Sequence, residues 1–186
     1  MLLYIHGFGS CGNGEKSATL RAHFGDDEVL APDLPPDPLA AIALLEDLIA
    51  SQRVDLLVGS SLGGYYADWL NGRHLIPCVL INPATQPCRT LAPFIGPNRD
   101  WCRGEIFQWK AEYLDSLRRM YRPAPGEAER YLVLLQTGDE VLDYRLAERR
   151  YRNQEVVVEP GGSHRFENLA AHLPAIERFR IAAGPL

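Results

Sequence analysis

Val54-Asp-Leu-Leu-Val-Gly-Ser-Ser-Leu-Gly-Gly64 decides how this chain is read. Val54 to Val58 is almost wholly apolar, as a strand buried on both faces of a parallel sheet must be. Gly59-Ser60-Ser61-Leu62-Gly63 then reads as G-x-S-x-G, and Tyr65 to Leu70 suits a helix. Strand, sharp turn and helix, in that order, is the setting a nucleophile elbow needs. The serine at the apex sits in strained backbone. Gly59 and Gly63, without Cβ atoms, leave room for the chain that passes beside it. Only Ser61 fits, because a register on Ser60 puts Val58 and Leu62 where glycines are needed. Three fixed positions make a weak motif alone, so its weight depends on the rest of the chain.

Upstream, Leu2 to Ile5 is a short apolar strand ending at His6-Gly-Phe-Gly9, and a helix is expected over Glu15 to Phe24. Glu28 to Ala31 is a second strand. Asp37-Pro38 reads as an N-cap with proline at the first helical position, opening a helix that runs to about Ala50. Downstream, Pro77 to Ile81 is a fourth strand. From Ala84 to about Arg103 the periodicity fails, and Glu105 to Tyr121 then reads as one amphipathic helix. Tyr131 to Gln136 and Glu155 to Val158 are the fifth and sixth strands, with a short helix over Tyr144 to Tyr151 between them. A terminal helix is expected from His164 or Arg165 to Arg180, kinked at Pro174. Short strands alternating with helices predict an α/β fold, a mostly parallel six-stranded sheet with helices on both faces. Residues 1–186 read as one domain, with a short insert at about 84–127 over the site. Ligands in such sheets bind beyond the carboxyl ends of the strands.

Composition narrows the function classes. The chain has 186 residues, 19 basic and 24 acidic, for a net charge of -5, and 46% hydrophobic residues. No strong basic run offers a nucleic-acid backbone a partner. No apolar stretch approaches transmembrane length, so membrane insertion is not expected. The opening Met1-Leu-Leu-Tyr-Ile5 lacks the basic region and cleavage site of a signal peptide. Cys11, Cys78, Cys88 and Cys102 have no metal-like spacing. Together these predict free thiols in a reducing, cytoplasmic setting. No histidine pair has ligand spacing, and neither a metal nor a cofactor is expected. Nothing in the sequence sets the number of subunits.

A serine hydroxyl needs a base within hydrogen-bond reach and a third group to orient that base. In chain order the partners should follow as Ser, acid, His. Of five histidines, His164 follows the sixth strand through a Gly-Gly turn, which brings it to the same sheet edge as Ser61. His172 falls in the expected terminal helix and reads as a surface or satisfied histidine. The acid belongs at the end of the fifth strand, where Asp139 lies. Asp143 competes, though it stands where the next helix needs an N-cap, and Glu140 is expected to point elsewhere. Oxyanion donors are expected from the backbone N–H groups of Leu62, just after the nucleophile, and Phe8, in the loop after the first strand. His6 is expected to brace that loop by hydrogen bonds. Phe94, Trp101 and Trp109 are the candidate walls of a substrate pocket.

One competing motif is Gly7-x-Gly9-x-x-Gly12 with Asp33, which matches a dinucleotide-binding fingerprint. Asn13-Gly14 delays the helix beyond its last glycine, and it leaves Ser61, Asp139 and His164 without a role.

Several longer stretches carry a family likeness. They are Leu3-Tyr-Ile-His-Gly-Phe8, Val58-Gly-Ser-Ser-Leu-Gly-Gly-Tyr-Tyr66, Ile81-Asn-Pro-Ala84, Gln136-Thr-Gly-Asp-Glu-Val-Leu-Asp-Tyr144 and Gly161-Gly-Ser-His-Arg-Phe166. Through them the chain resembles the small bacterial α/β hydrolases known as YqiA-like esterases, over essentially its whole length. The resemblance implies a minimal α/β hydrolase with strand order 2-1-3-4-5-6. It also implies Ser61 as nucleophile, Asp139 as acid and His164 as base, acting on a small carboxylic ester or thioester. The alternatives are a ligand-binding protein on the same fold and a dinucleotide-dependent oxidoreductase.

Overall fold

The structure, a computed structural model, describes residues 1–184. The first half of the chain gives β1 (Leu2–Ile5), α1 (Glu15–Phe24), β2 (Val29–Leu30), α2 (Pro38–Ser51), β3 (Leu56–Ser60), α3 (Leu62–His74) and β4 (Cys78–Ile81). After it come α4 (Pro87–Thr90), β5 (Gly96–Arg99), β6 (Ile106–Trp109), α5 (Ala111–Arg119) and β7 (Tyr131–Gln136). The chain closes with α6 (Tyr144–Arg150), β8 (Glu155–Glu159) and α7 (Leu173–Ala183).

Six strands pair in the order β2-β1-β3-β4-β7-β8, and every pairing is parallel. With the separate β5–β6 hairpin set aside, this is the order the family resemblance implied. Alternate side chains divide between the faces. Leu3, Ile5 and Leu57 pack with Leu45 of α2, Leu70 of α3, Leu117 of α5 and Ala147 of α6. Leu2, Tyr4 and Val58 pack with Leu20 of α1 and Ile176 and Phe179 of α7. Covering both faces removes any need for polar alternation, which is why the strands read as continuous apolar runs. The start signal of α2 is also as expected: the Asp37 carboxylate accepts the Leu39 N–H at 2.8 Å, with Pro38 in the first turn.

Two segments differ from their reading in sequence. The stretch expected as one helix over Glu105–Tyr121 is strand at Ile106–Trp109 and helix only at Ala111–Arg119. Phe107 and Trp109 turn inward at a spacing of two while Gln108 faces away, and pairing with Gly96–Arg99 satisfies the backbone. The terminal helix starts at Leu173 rather than at His164. Phe166 and Asn168 have left-handed backbone, with φ of 60° and 61°, which breaks any helix there. Pro174 therefore opens a helix instead of kinking one, the position where its missing N–H costs nothing.

The cysteines need a third correction. Cys78 and Cys88 are free, but Cys11 and Cys102 form a disulfide with a Cα–Cα distance of 6.1 Å. The sequence separation is 91, and only the return of the hairpin over the loop after β1 brings the pair together. Two of the four thiols on which the reducing setting was argued are therefore paired. Among the described residues no helix is long and apolar enough to cross a membrane.

At the opposite end of the sheet from the site, Asp68 of α3 is 2% exposed. It accepts from Arg150 Nη2 at 2.7 Å and from Tyr131 Oη at 2.9 Å, and lies 3.9 Å from Arg122. Removing one member of a buried ion network leaves the others uncompensated. Asp68→Ala is therefore expected to lower unfolding stability by about 3–5 kcal/mol. In urea denaturation this appears as a lower midpoint at an unchanged slope.

Candidate active site

The elbow is built from the end of β3 and the start of α3. Ser61 has φ of 54° and ψ of -118°, a conformation few side-chain-bearing residues adopt. The surrounding packing holds it there. A Cβ on Gly59 would lie 2.4 Å from the Gly63 carbonyl oxygen, and one on Gly63 would lie 2.0 Å from that of Ile5. The two glycines of the motif thus let α3 come down onto β1 and β3, and the turn between them has no looser alternative. The Ser61 N–H donates to the Ile81 carbonyl at 3.1 Å, and the Ala84 N–H donates to the Ser61 carbonyl at 2.9 Å, which ties the apex to the end of β4.

His164 follows β8 and Asp139 follows β7, so both arrive at the carboxyl edge of the sheet beside Ser61. His164 Nε2 lies 3.0 Å from Ser61 Oγ, and His164 Nδ1 lies 2.9 and 3.0 Å from the two Asp139 carboxylate oxygens. Assigned from these partners, Nδ1 carries the proton and donates to Asp139, leaving the Nε2 lone pair for the serine hydroxyl. The Asp139 side chain is 1% exposed, and its Oδ1 also accepts the Val141 and Leu142 N–H groups at 2.9 and 2.8 Å. Asp143, the competitor, is instead the N-cap of α6 and accepts the Arg145 N–H at 3.1 Å. His172 is buried in the turn before α7, its ring set edge-on to Phe166.

The loop that presents His164 is held by residues to which the sequence reading gave no role. Asn82, buried at the end of β4, donates from Nδ2 to the carbonyls of Ser163 and His164 at 3.0 and 3.4 Å and accepts the Gln136 N–H at 3.0 Å. Gln136 accepts the Ser163 and Glu167 N–H groups and donates to the Glu167 carbonyl at 2.8 Å. Glu140, expected to point elsewhere, accepts the His164 N–H at 2.9 Å. That hydrogen bond holds its carboxyl below the usual carboxylate range. Their signal in the sequence was a polar side chain closing an apolar strand, as Asn82 and Gln136 both do.

Beside Ser61 runs the loop after β1. A Cβ on Gly7 would sit 3.1 Å from Ser61 Cβ. His6 braces this loop as expected: Nδ1 donates to the Gly7 carbonyl at 2.8 Å, and Nε2 accepts the Leu34 N–H at 3.0 Å. Burial pushes its pKa down, in keeping with a neutral ring in that tautomer. The Phe8 and Leu62 N–H groups have no acceptor among the described residues. The Phe8 ring packs edge-to-face on Phe107 and Trp109 at 5.4 and 5.0 Å between centroids.

A cleft of about 220 Å³ lies between this loop, α3 and β6. Of the three aromatic candidates, Trp109 lines it. The other two aromatic candidates do not. Trp101 is 86% exposed at the turn of the hairpin, and Phe94 packs on Phe8 outside the cleft wall. The hairpin tip is fastened to the loop by the disulfide, by the Trp101 N–H donating to the Gly9 carbonyl at 2.8 Å, and by an Arg103–Asp33 ion pair. Asp33 Oδ1 also accepts the Gly12 N–H at 2.8 Å. The glycine fingerprint is thus spent within the protein, since a Cβ on Gly12 would lie 2.1 Å from the Ala31 carbonyl and α1 begins only at Glu15. No group of three or more metal-ligating side chains among the described residues could hold an ion.

Sheet order, elbow and the residues at the strand ends together define an α/β hydrolase fold. The solved structures it matches include Est1E from Butyrivibrio proteoclasticus with ferulic acid bound, at a TM-score of 0.74, 15% identity, and coverage of 98% of this chain and 88% of that one. The monoacylglycerol lipase of Paleococcus ferrophilus matches at a TM-score of 0.73, 15% identity, and coverage of 98% and 94%. At such identities the likeness is one of fold.

The chain belongs to the uncharacterised protein family UPF0227, whose family model matches residues 1–181. The resemblance drawn from the motifs fits this membership. The chain is 28% identical over 189 residues to a UPF0227 protein of Serratia proteamaculans (strain 568), covering 97% of this chain and 98% of that one. It is 27% identical, with the same coverage, to UPF0227 protein YcfP of Escherichia coli O9:H4 (strain HS).

Proposed function

We propose that this chain is a serine-dependent hydrolase of small carboxylic esters or thioesters, working through an acyl-enzyme on Ser61. The reading rests above all on one observation, the unbroken hydrogen-bond path Asp139–His164–Ser61 at the carboxyl edge of the sheet. His164 Nε2 takes the hydroxyl proton as Ser61 Oγ bonds to the substrate carbonyl carbon. The N–H groups of Leu62 and Phe8 hold the oxyanion. His164 then gives its proton to the departing alcohol or thiol as the carbon–oxygen or carbon–sulfur bond breaks. Water, deprotonated by His164, attacks the acyl-enzyme, and the same steps release the acid and restore Ser61. Asp139 keeps one tautomer throughout. The 84–127 segment is read as an insert whose β6 supplies one wall of the acyl pocket. The esterase and lipase names of the fold neighbours are consistent with this chemistry.

The test is covalent. A fluorophosphonate probe should add one adduct per chain, at Ser61, with mass spectrometry as the readout. An intact protein without adduct would sink the reading and favour a binding protein on the same fold.

Asn82 acts on this reading as a positioning residue. Asn82→Ala removes its hydrogen bonds to the His164 loop, and a displacement of about 1 Å at the base costs on the order of a hundredfold in rate. The expected result on nitrophenyl butyrate is a lower kcat at little-changed KM. Asn82→Asp keeps the short side chain that tolerates the left-handed backbone (φ of 39°) but sets an acceptor where the Nδ2 donor faced the Ser163 and His164 carbonyls, so it should lose at least as much activity as Asn82→Ala.

A further inference from the structure

The cleft between the loop after β1, α3 and β6 is bordered by Leu62, which follows Ser61 in the chain, and by Gly7, which packs against Ser61. Phe8, Tyr66, Phe107 and Trp109 are among the residues that line it, together with the charged Asp33, Asp100, Arg103 and Glu105. A cavity of roughly 150 Å³ holds one benzene ring. At about 220 Å³ this one has room for a single ring and a few further atoms. It is also held in shape, because the disulfide, the Trp101–Gly9 hydrogen bond and the Arg103–Asp33 pair fasten the hairpin to the loop opposite. A preformed pocket loses less on binding than one a ligand must order.

Two of these aromatic residues carry a polar group without a hydrogen-bond partner among the described residues: the Trp109 indole N–H, which is sealed off from solvent, and the Tyr66 hydroxyl. Tyr66 lies on α3 and is 2% exposed. Buried tyrosine hydroxyls normally find a partner. Its neighbour Tyr65 donates to the Leu117 carbonyl at 2.7 Å, and Tyr131 donates to Asp68. The Tyr66 hydroxyl enters no hydrogen bond with a described residue, and Tyr66 is one of the residues that line the cleft. Burial also pushes its pKa well up, which keeps the phenol a neutral donor.

We infer that the cleft is the acyl site and selects a compact, single-ring acyl group bearing an oxygen that the Tyr66 hydroxyl hydrogen-bonds. This rests on the ester-hydrolase reading above and deepens it to a substrate class: oxygenated aryl-alkanoyl esters, in preference to long straight-chain ones. A site built around a hydrogen-bonding group discriminates strongly against the analogue that lacks its partner, whereas an added methylene in an apolar pocket changes little.

The experiment compares nitrophenyl esters of phenylpropanoic acid, of its meta- and para-hydroxyphenyl counterparts, and of dodecanoic acid. Native protein and Tyr66→Phe are run side by side. In native protein, kcat/KM for one of the two hydroxyphenyl esters should exceed that for the phenyl ester by about tenfold or more, one well-made hydrogen bond to a buried group. In Tyr66→Phe that ratio should collapse toward one. The dodecanoate should be the poorest substrate. A ratio unchanged by Tyr66→Phe, no preference for either hydroxyphenyl ester, or a preference for dodecanoate would overturn the inference. The site is also tested without turnover, by calorimetric titration of native protein and Tyr66→Phe with the two free hydroxyphenylpropanoic acids. Binding weakened about tenfold by the loss of one hydroxyl would uphold the pocket even if Ser61 took no fluorophosphonate. Equal binding to both proteins, or binding to neither, would overturn it.

Discussion

Ser61→Ala should fold as the native chain does and hydrolyse nitrophenyl esters about a millionfold more slowly, the scale on which loss of a serine nucleophile is felt in a triad enzyme. Alanine keeps the Cβ that packs against Gly7, and it adds no atom to the tight ground between Gly59, Gly63 and the β1 backbone. The backbone strain at φ of 54° is common to both residues, so the substitution tests the hydroxyl and little else. Unfolding free energies within about 1 kcal/mol of each other, the scale of one lost hydrogen bond, would establish that. Some rate above the uncatalysed reaction should remain, because the Leu62 and Phe8 N–H groups and the cleft are untouched. Activity retained within tenfold would remove Ser61 from the chemistry and leave the elbow as a scaffold feature.

The sheet could be read in advance because a parallel, doubly covered sheet writes itself locally. Val54–Val58 needs no distant partner to be recognised as a buried strand, and Asp37 and Asp143 declare their helices by capping. The same locality exposed the three residues at the strand ends, since each follows its own strand within a short turn. What was not legible depends on chain far away. The Cys11–Cys102 pair exists only because the β5–β6 hairpin folds back over the first loop. Trp101 resembled a pocket wall by residue type, but the turn that carries it aims it at solvent. Phe107 and Trp109 belong to a strand whose partner, Gly96–Arg99, holds a glycine, a proline and no apolar alternation to announce it. Asn82 and Gln136 could have been suspected from polarity at a strand end, but the loop they hold is separated from Asn82 by about eighty residues.

Asp139→Asn should cost about four powers of ten in kcat while leaving the fold intact. The argument is one of tautomers. Asp139 Oδ1 accepts the Val141 and Leu142 N–H groups, and asparagine has one oxygen with which to keep both bonds. Its amide nitrogen must then face His164 Nδ1, where the carboxylate stood at 2.9 Å. Two donors cannot meet, so the imidazole moves its proton to Nε2 and turns an N–H toward Ser61 Oγ. The serine loses its base, and the imidazolium that would form loses its counter-charge. Asp143→Asn is the matched control. Asparagine caps helices about as well as aspartate, and Asp143 is spent on the Arg145 N–H, so kcat should stay within about twofold and stability within a few tenths of a kcal/mol. Single-turnover hydrolysis with near-ultraviolet circular dichroism on the same samples separates rate from fold. A large loss at Asp143 with little at Asp139 would reassign the acid. A loss of structure in Asp139→Asn would instead make the residue an anchor of the 139–142 turn, and catalysis would then have to be judged on Asp139→Glu.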